Sequence, residues 1–194
     1  MWATSVVNND CDIYDEGVRN NYFLNGGKLI SWWHGTGAFL DYCNPQAVEW
    51  WHKQLDKVLD MGIDGFKCDG TDPMISLLRP WPYSPHKKRF VSLPEYSHSY
   101  YGDFFNYTRT KNPEGLIMAR PTDSYLIKNQ LSNSSYVFLN YAPKYVMFAG
   151  WVGDQDSTFV GLKSAVWNLL HSAWNGYLNF GFDIGGYRNK KRSR

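Results

Sequence analysis

The stretch Gly62-Ile63-Asp64-Gly65-Phe66-Lys67-Cys68-Asp69-Gly70-Thr71-Asp72-Pro73 decides the fold prediction. A run of β-forming residues from Ile63 to Cys68 predicts a short strand, and this strand ends at Asp69. A helical pattern comes before it, and turn-forming residues follow it at once. An acid released at the end of a strand between helices is the arrangement that α/β barrels use for catalysis. Asp-Gly-Thr-Asp-Pro is also a good turn sequence, so this stretch alone leaves both interpretations open.

A helix is predicted directly before this strand, and another near the end of the chain. The first begins with Asn44 as its N-cap and Pro45 at its first position, and Gly62 suits its end. The second takes Ser157 as its cap and stops at Asn175-Gly176. Apolar residues recur at helical spacing in both: Val48, Trp51, Leu55, Val58 and Leu59 in the first, and Val160, Leu162, Ala165, Val166, Leu169, Leu170 and Ala173 in the second.

Four further runs of β-forming residues predict strands that resemble the first one. Strands separated by helices or long crossovers indicate a parallel sheet, and such sheets collect functional side chains at the carboxyl ends of their strands. We therefore predict an α/β fold. The runs are Trp2 to Val7, Gly115 to Ala119, Tyr145 to Ala149 and Gly176 to Phe180, and the last three lead into Arg120, Asp154 and Asp183.

Residues 74 to 110 are predicted to form a long irregular insertion. Five prolines lie between Pro73 and Pro94, and aromatic residues are frequent throughout the segment. Proline removes a backbone donor and interrupts both helices and strands. Insertions of this length are usually functional or flexible.

Composition narrows the class of ligand. Aromatic residues make up 18% of the 194 residues, with 9 Trp, 14 Tyr and 11 Phe, and their flat faces stack on sugars and bases. The formal net charge is +2, and it becomes −3 when the five positive charges of Arg188 to Arg194 are left out. A slightly acidic body and the absence of phosphate-binding glycine motifs argue against a nucleic-acid or nucleotide ligand. No run of 18 apolar residues is present, so we expect a soluble protein without a membrane partner.

The cysteines and the sequence motifs add little about cofactors or location. The three cysteines show no CxxC spacing, so neither a disulfide framework nor a zinc site is predicted. Triplets at Asn106 and Asn133 have the form of N-glycosylation sites and favour a secretory or extracellular location, although such triplets arise often by chance. The residues after Met1 predict no signal peptide, because neither a basic n-region nor an apolar h-region is visible there. The oligomeric state is not readable.

Two acids, an arginine and a tryptophan at the ends of neighbouring strands suit glycoside hydrolysis. That reaction needs one carboxylate and one carboxylic acid on opposite sides of the scissile bond. Asp69 and Asp154 are 85 positions apart in the sequence, but they would lie at the ends of nearby strands, so their closeness is an inference from the fold.

Four sequence blocks resemble glycoside hydrolase family 31, the α-glucosidase-like retaining enzymes. Trp32 to Trp51 is similar to its WWxG…LDxxNPxAxxWW segment, and Gly62 to Asp69 to its nucleophile strand, GxDGFKxD. Trp151 to Leu162 is similar to the WxGD…GL segment, and Asp183 to Tyr187 to the DIGGF segment. The blocks occur in the family's order and cover almost the whole chain.

The resemblance implies a fold, a reaction and roles for six residues. The fold would be part of a (β/α)8 TIM barrel, roughly its third to seventh strands. The reaction would be retaining hydrolysis of a terminal non-reducing α-linked sugar through a covalent glycosyl-aspartate, with no metal or organic cofactor. Asp69 would be the nucleophile and Asp154 the general acid/base, while Arg120, Trp151, Asp183 and Trp33 would bind the substrate.

Several alternatives remain open at this stage. Asp154 could merely begin a helix, Arg120 could be a structural ion-pair partner, and the Asp183 segment could be a turn. A pseudo-glycosidase that only binds carbohydrate would keep the aromatic residues without turnover. A haloacid-dehalogenase-type phosphatase is dismissed because Lys67 stands where its first aspartate would be.

The length of the chain suggests an incomplete barrel. We expect a partial catalytic barrel over residues 1–187 and a basic tail over 188–194. Relatives carry further domains that 194 residues cannot hold, so we expect this chain alone to be inactive or poorly soluble. The sugar is not readable, and an α-glucoside is favoured only by its frequency in the family.

Overall fold

A computed structural model describes residues 1–69, 75, 78, 81–120, 122–123, 139–140, 142–146 and 149–188. Single 3-10 turns cover Leu24–Gly26 and Lys144–Val146. The helices are α1 (Tyr14–Arg19), α2 (Pro45–Leu59), α3 (Leu93–Lys111) and α4 (Phe159–Trp174). The strands are β1 (Trp2–Ala3), β2 (Val6–Asn8), β3 (Ile30–Trp32), β4 (Gly35–Phe39), β5 (Gly65–Cys68), β6 (Tyr83–Ser84), β7 (Arg89–Phe90), β8 (Leu116–Ala119), β9 (Thr122–Asp123), β10 (Leu139–Asn140), β11 (Ala149–Trp151) and β12 (Phe180–Gly181).

The central sheet has five strands among the described residues, in the order β1-β5-β8-β11-β12. Every neighbouring pair is parallel, which confirms the predicted parallel α/β sheet. The register places Trp2 opposite Lys67, Lys67 opposite Met118, and Trp151 opposite Gly181. Parallel strands run in the same direction, so their carboxyl ends lie side by side. The residues that follow β5, β8, β11 and β12 therefore lie together at the carboxyl end of the sheet.

The helix before β5 is confirmed and begins as predicted. The Oδ1 atom of Asn44 accepts a hydrogen bond from the Gln46 amide (3.0 Å), and Pro45 occupies the first turn. The later helix is α4, but its cap is Thr158, whose Oγ1 atom accepts from the Gly161 amide (3.0 Å). The prediction of Ser157 as cap was therefore wrong by one residue, since both hydroxyl residues have the chemistry of a cap.

The prediction of an irregular segment over 74–110 was wrong for its second half. The 19-residue helix α3 occupies Leu93–Lys111 behind β5 and β8. Ser92 caps it by accepting from the Glu95 amide (3.3 Å), and a proline in the first turn is compatible with a helix start. Tyr96, Tyr100 and Phe104 recur every four residues and are fully buried. The many prolines upstream of α3 obscured this periodicity.

Three predicted strands have clearly different bounds in the structure. Only Phe180 of the run from Gly176 to Phe180 lies in a strand, β12, because Gly176 and Asn179 adopt left-handed φ values of 79° and 58°. The run from Trp2 to Val7 is divided into β1 and β2, and Thr4 Oγ1 accepts from the Val6 amide at the break (3.2 Å). The run from Tyr145 to Ala149 begins with the 3-10 turn Lys144–Val146, and the strand itself starts at Ala149. Trp151 therefore lies inside β11, not in the loop after it.

Smaller elements and one exposed face complete the described fold. β2, β4 and β3 form an antiparallel sheet after β1, and β6 and β7 form a hairpin. Helix α4 turns its small or polar residues Gly161, Ala165, Asn168 and Ser172 inward. Its large apolar residues face outward, with Phe159 91% and Trp174 67% exposed. No helix within the described part of the chain has the length and hydropathy needed to cross a bilayer.

Candidate active site

Asp69 follows the last residue of β5 and receives a donor at each carboxylate oxygen. Arg120 Nη2 donates to Oδ1 (3.2 Å), and the Trp2 indole Nε1 donates to Oδ2 (3.3 Å). The backbone of Asp69 is also held, because its amide donates to Ala3 O (2.9 Å) and its carbonyl accepts from Tyr100 Oη (3.0 Å). Two donors thus orient the carboxylate, while β1 and α3 hold the backbone of Asp69.

Arg120 and Trp151 form the next part of the site. Arg120 is 8% exposed, and its Cζ atom lies 5.0 Å from the centroid of the Trp151 ring. Lys67 Nζ lies 4.6 Å from the same centroid. Cations over an indole face are attracted by its negative π surface. The Trp151 Nε1 atom is buried and has no hydrogen-bond partner within the part of the chain that is described.

Asp154 follows β11 after the short link Val152-Gly153. Burial raises the pKa of its carboxyl group, and the negative charges of Asp69 and Asp183 raise it further, while Arg120 and Lys67 lower it. Gly153 has a φ of 91°, and a Cβ atom on it would lie 3.2 Å from Arg120 Nη1. The arginine therefore packs against the backbone next to Asp154 while it binds Asp69. The net result is an acid that keeps its proton to a higher pH than an exposed aspartate.

The structure places Asp183 and Trp33 farther toward the surface. Asp183 is exposed, lies in a turn closed by a hydrogen bond from the Gly186 amide to its carbonyl (3.0 Å), and acts on Asp154 through its charge. Trp33 is 55% exposed, and its ring lies 5.3 Å from that of Trp32. Trp32 in turn stacks on Trp2 (6.2 Å), the tryptophan that donates to Asp69. Trp33 thus belongs to the aromatic group beside Asp69 without touching it.

Two residues of this site were not assigned a substrate-binding role from the sequence. Trp2 was seen only as part of a strand, because nothing local shows that β1 pairs with β5. Lys67 stands two positions before Asp69, so the alternation of strand side chains places it on the same face of the sheet. That alternation could have identified Lys67, whereas Trp2 required the strand register.

Within the described ranges, no three His, Cys, Asp or Glu side chains are grouped closely enough to hold an ion. The residues Gly70 to Pro73, directly after Asp69, and residues 189 to 194 of the predicted basic tail lie outside the described residues. Arg188 is described, and its Nε atom pairs with Asp156 Oδ1 (3.2 Å).

The parallel sheet carries one carboxyl group directly after β5 and another shortly after β11, and their surroundings differ. This arrangement is typical of enzymes built on an α/β barrel with a pair of acids at the carboxyl ends of its strands. The whole chain, residues 1–194, matches the family model "Glycosyl hydrolases family 31 TIM-barrel domain". The chain therefore belongs to glycoside hydrolase family 31, as the sequence blocks indicated. The fold prediction of a partial (β/α)8 barrel is confirmed as well.

Relatives and solved structures agree with this membership. The chain is 25% identical to an alpha-xylosidase of Emericella nidulans over 96% of its own length and 22% of the relative's. It is 26% identical to alpha-glucosidase 2 of Bacillus thermoamyloliquefaciens over 90% of its own length and 22% of the relative's. The fold also matches a sulfoquinovosidase of E. rectale in complex with an aza-sugar inhibitor (TM-score 0.72, 19% identity, 98% of this chain and 27% of that chain). The chain thus spans about a fifth of the length of these curated relatives.

Proposed function

We propose that the protein is a retaining α-glycoside hydrolase that removes a terminal non-reducing sugar through a covalent glycosyl-Asp69 intermediate. The observation that carries this proposal is the contrast between the two carboxyl groups. Asp69 has a donor at each oxygen, one of them the cationic Arg120, whereas Asp154 lies in a half-buried position where its pKa is raised. One ionised and one protonated carboxyl group at the same edge of the sheet are what this reaction requires.

In the first step, Asp154 donates its proton to the glycosidic oxygen while Asp69 attacks the anomeric carbon. The bond from that carbon to the leaving oxygen breaks, and its electron pair goes to the protonated leaving group. In the second step, the Asp154 carboxylate takes a proton from water, and the water oxygen displaces Asp69 from the anomeric carbon. Two displacements return the original anomeric configuration and the original protonation of both acids.

The remaining residues are proposed to bind the sugar and to adjust the acid pair. Arg120 brings a guanidinium group with five N–H donors to the edge of the site beside Asp69, and sugar hydroxyls would accept from it. Trp151 would form an aromatic wall of the sugar site, with the cations of Arg120 and Lys67 beside its ring. Asp183 would bind a sugar hydroxyl at the rim, and Trp33 would stack on the sugar that leaves. No metal or organic cofactor is part of this proposal.

The substrate is proposed to be an α-glucoside or a closely related α-glycoside. The two relatives described above are an alpha-xylosidase and an alpha-glucosidase, with 25% and 26% sequence identity to this chain. Relatives of similar sequence identity thus differ in the sugar that their names give. The activity is proposed for the protein at its full natural length. Inactivity or low solubility of the 194-residue chain stays a prediction, and the outward-facing apolar residues of α4 and the 99% exposed Ile184 support it. Secretion stays a prediction as well.

The test is a panel of aryl α-glycosides offered to the full-length protein, its Asp69→Ala variant and its Asp154→Ala variant. We expect Asp69→Ala to lose activity on every substrate. For Asp154→Ala, kcat/KM should fall about 10²- to 10⁴-fold on substrates with poor leaving groups, because these leave only when protonated. It should fall far less on substrates with good leaving groups. Binding of sugars without any turnover by the wild type would favour the pseudo-glycosidase instead. Unchanged turnover in either variant would contradict the assignment.

A further inference from the structure

The loop that carries Asp154, residues 152–158, is enclosed by two glycines from other elements. A Cβ atom on Gly161, in the first turn of α4, would lie 2.0 Å from the carbonyl oxygen of Asp156. A Cβ atom on Gly186, in the turn after β12, would lie 2.7 Å from Ser157 Cα and 2.8 Å from Ser157 N. Both contacts are with backbone atoms, which cannot rotate away as a side chain could. Only glycine fits at either position without displacing the loop.

Hydrogen bonds join the same loop to the turn after β12. Gln155 O accepts from the amides of Tyr187 (2.9 Å) and Arg188 (3.1 Å), and the Ser157 amide donates to Arg188 O (2.8 Å). The ion pair between Arg188 and Asp156 adds a side-chain connection (3.2 Å). The loop is therefore fixed immediately after Asp154, at three consecutive residues.

The residues before Asp154 are fixed as well. The Val152 amide donates to Gly181 O (3.0 Å), and Val152 O accepts from Gln155 Nε2 (2.6 Å). The backbone of Asp154 thus lies between two anchored points, and β12 with its following turn supplies contacts on both sides. A displacement of that turn must move the carboxyl group of Asp154 relative to Asp69.

We propose that Gly186 and Gly161 are positioning residues for Asp154, which they hold by close packing on the Asp156-Ser157 backbone. This inference rests on the proposed role of Asp154 as general acid/base. It gives the Asp183 to Gly186 segment a second task besides any contact of Asp183 with substrate. Proton transfer requires a heavy-atom distance of about 2.6–3.2 Å, so a shift of the loop impairs the acid before it impairs Asp69.

The chain offers a matched control at the neighbouring position. Gly185 has a φ of 86° and Gly186 a φ of 83°, so alanine is strained to a similar degree at both. A Cβ atom on Gly185 would meet nothing within 4 Å, whereas one on Gly186 meets Ser157. The difference between Gly186→Ala and Gly185→Ala therefore isolates the contact with the loop from the effect of backbone strain.

The experiment compares these two variants in the full-length protein on p-nitrophenyl and phenyl α-glycosides of the same sugar. Gly186→Ala should lose about 10²-fold more kcat/KM on the phenyl substrate, whose cleavage needs the acid, than on the p-nitrophenyl substrate. Gly185→Ala should lower both by similar factors. Gly161→Ala should behave as Gly186→Ala does. Equal losses on the two substrates in Gly186→Ala would overturn the proposal.

Hydrogen exchange of the amides that donate across this contact provides a readout that does not depend on turnover. We expect the amides of Ser157, Tyr187 and Arg188 to exchange at least about tenfold faster in Gly186→Ala than in Gly185→Ala, because local opening governs exchange. Arg188→Ala, which keeps both glycines, should shift the same amides by a smaller factor and serves if Gly186→Ala does not fold. Equal exchange in all variants would refute the positioning role. If exchange changes but Asp154→Ala shows no leaving-group dependence, the packing is right and the assigned reaction is wrong.

Discussion

The ends of β5 and β11 present the same side chain in opposite surroundings. Asp69, after β5, has an arginine donor at one oxygen and an indole donor at the other. Asp154, after β11, is half-buried, and that burial is the largest cause of its raised pKa. Asp69 thus lies among hydrogen-bond donors, whereas burial disfavours the charged form of Asp154. Under the proposed function, these two environments, more than the residue type, separate the nucleophile from the proton donor.

Arg120 is the link between these two regions. Its guanidinium donates to Asp69, lies over the Trp151 ring and packs on Gly153 beside Asp154. Its charge also lowers the pKa of Asp154, against the effect of burial. A single buried cation thus contacts Asp69 and opposes the rise in the pKa of Asp154 that burial causes. Substitutions of Asp69, Asp154 and Arg120 should therefore distinguish the roles proposed for the two acids.

The largest expected effect distinguishes the two acids by the product that azide forms. Asp69→Ala should lose about 10⁴-fold or more in kcat, the scale seen when one member of a catalytic unit is removed. Azide in the space left by Asp69 should attack the substrate directly and give a β-glycosyl azide. In Asp154→Ala, azide should attack the glycosyl-enzyme and give the α-glycosyl azide. Chromatography and NMR of the products check this, and the same anomer from both variants would abolish the contrast.

Replacement of Arg120 should change both regions at once. Arg120→Met should lower kcat/KM by about 10²-fold, because one charged donor is removed from the site. The pKa of Asp154 should rise, since Arg120 lowers it in the wild type. Because the acid works only while protonated, activity on a poor leaving group falls as pH rises through that pKa. The descending limb of the pH profile should therefore move to higher pH.

Lys67→Met and Asp183→Asn provide controls for that shift. Lys67 lowers the pKa of Asp154, so its loss should move the descending limb upward by less than Arg120→Met does. Asp183 raises that pKa, so Asp183→Asn should move the limb downward. A shift of the same sign in all three variants would show that these charges do not act on Asp154.

A smaller effect is expected at the second donor to Asp69. Trp2→Phe keeps an aromatic ring but removes the indole N–H that donates to Oδ2. Loss of a hydrogen bond to a charged acceptor should lower kcat by about tenfold on good and poor leaving groups alike. Stopped-flow measurement of the glycosylation step checks this, and a loss confined to poor leaving groups would place Trp2 with the acid instead.

The smallest effect is expected at the rim. Trp33 touches Trp32 but neither acid, so Trp33→Ala should leave kcat nearly unchanged. Loss of one stacking surface should raise KM about two- to tenfold. Steady-state kinetics with disaccharides check this, with the exposed Trp81→Ala as a control that should change nothing. A large fall in kcat would mean that Trp33 orients the reacting sugar.

Sequence patterns predicted the parts of the fold that depend on local chemistry. The cap at Asn44, the apolar spacing of α2 and the strand that ends at Asp69 each follow from adjacent residues. Helix α3 was missed because the prolines before Ser92 hide a start that Pro94 in fact suits. Trp2 was missed for a different reason, since its contact with Asp69 depends on the pairing of Trp2 with Lys67, which is 65 positions away. Local patterns carry no information about such register.

The residues of the site were predicted from the order of the sequence blocks and from the chemistry of their side chains. The contacts that hold these residues in place were not predicted. Asp69, Arg120 and Trp151 were expected together, and their contacts are now described. The packing of Gly161 and Gly186 on the Asp154 loop was invisible, because a glycine in a sequence does not reveal which backbone approaches it. The roles of the named residues in catalysis stay predictions until kinetics are measured.

Trapping of the covalent intermediate tests the central claim most directly. A glycosyl fluoride with a second fluorine on the sugar ring slows the hydrolysis step and leaves the sugar attached to the nucleophile. Peptide mass spectrometry of the inactivated full-length protein should locate the added sugar on Asp69, in the peptide that contains Gly62 to Asp69. A label on Asp154, on Asp183 or on any other residue would contradict the assignment of Asp69 as nucleophile.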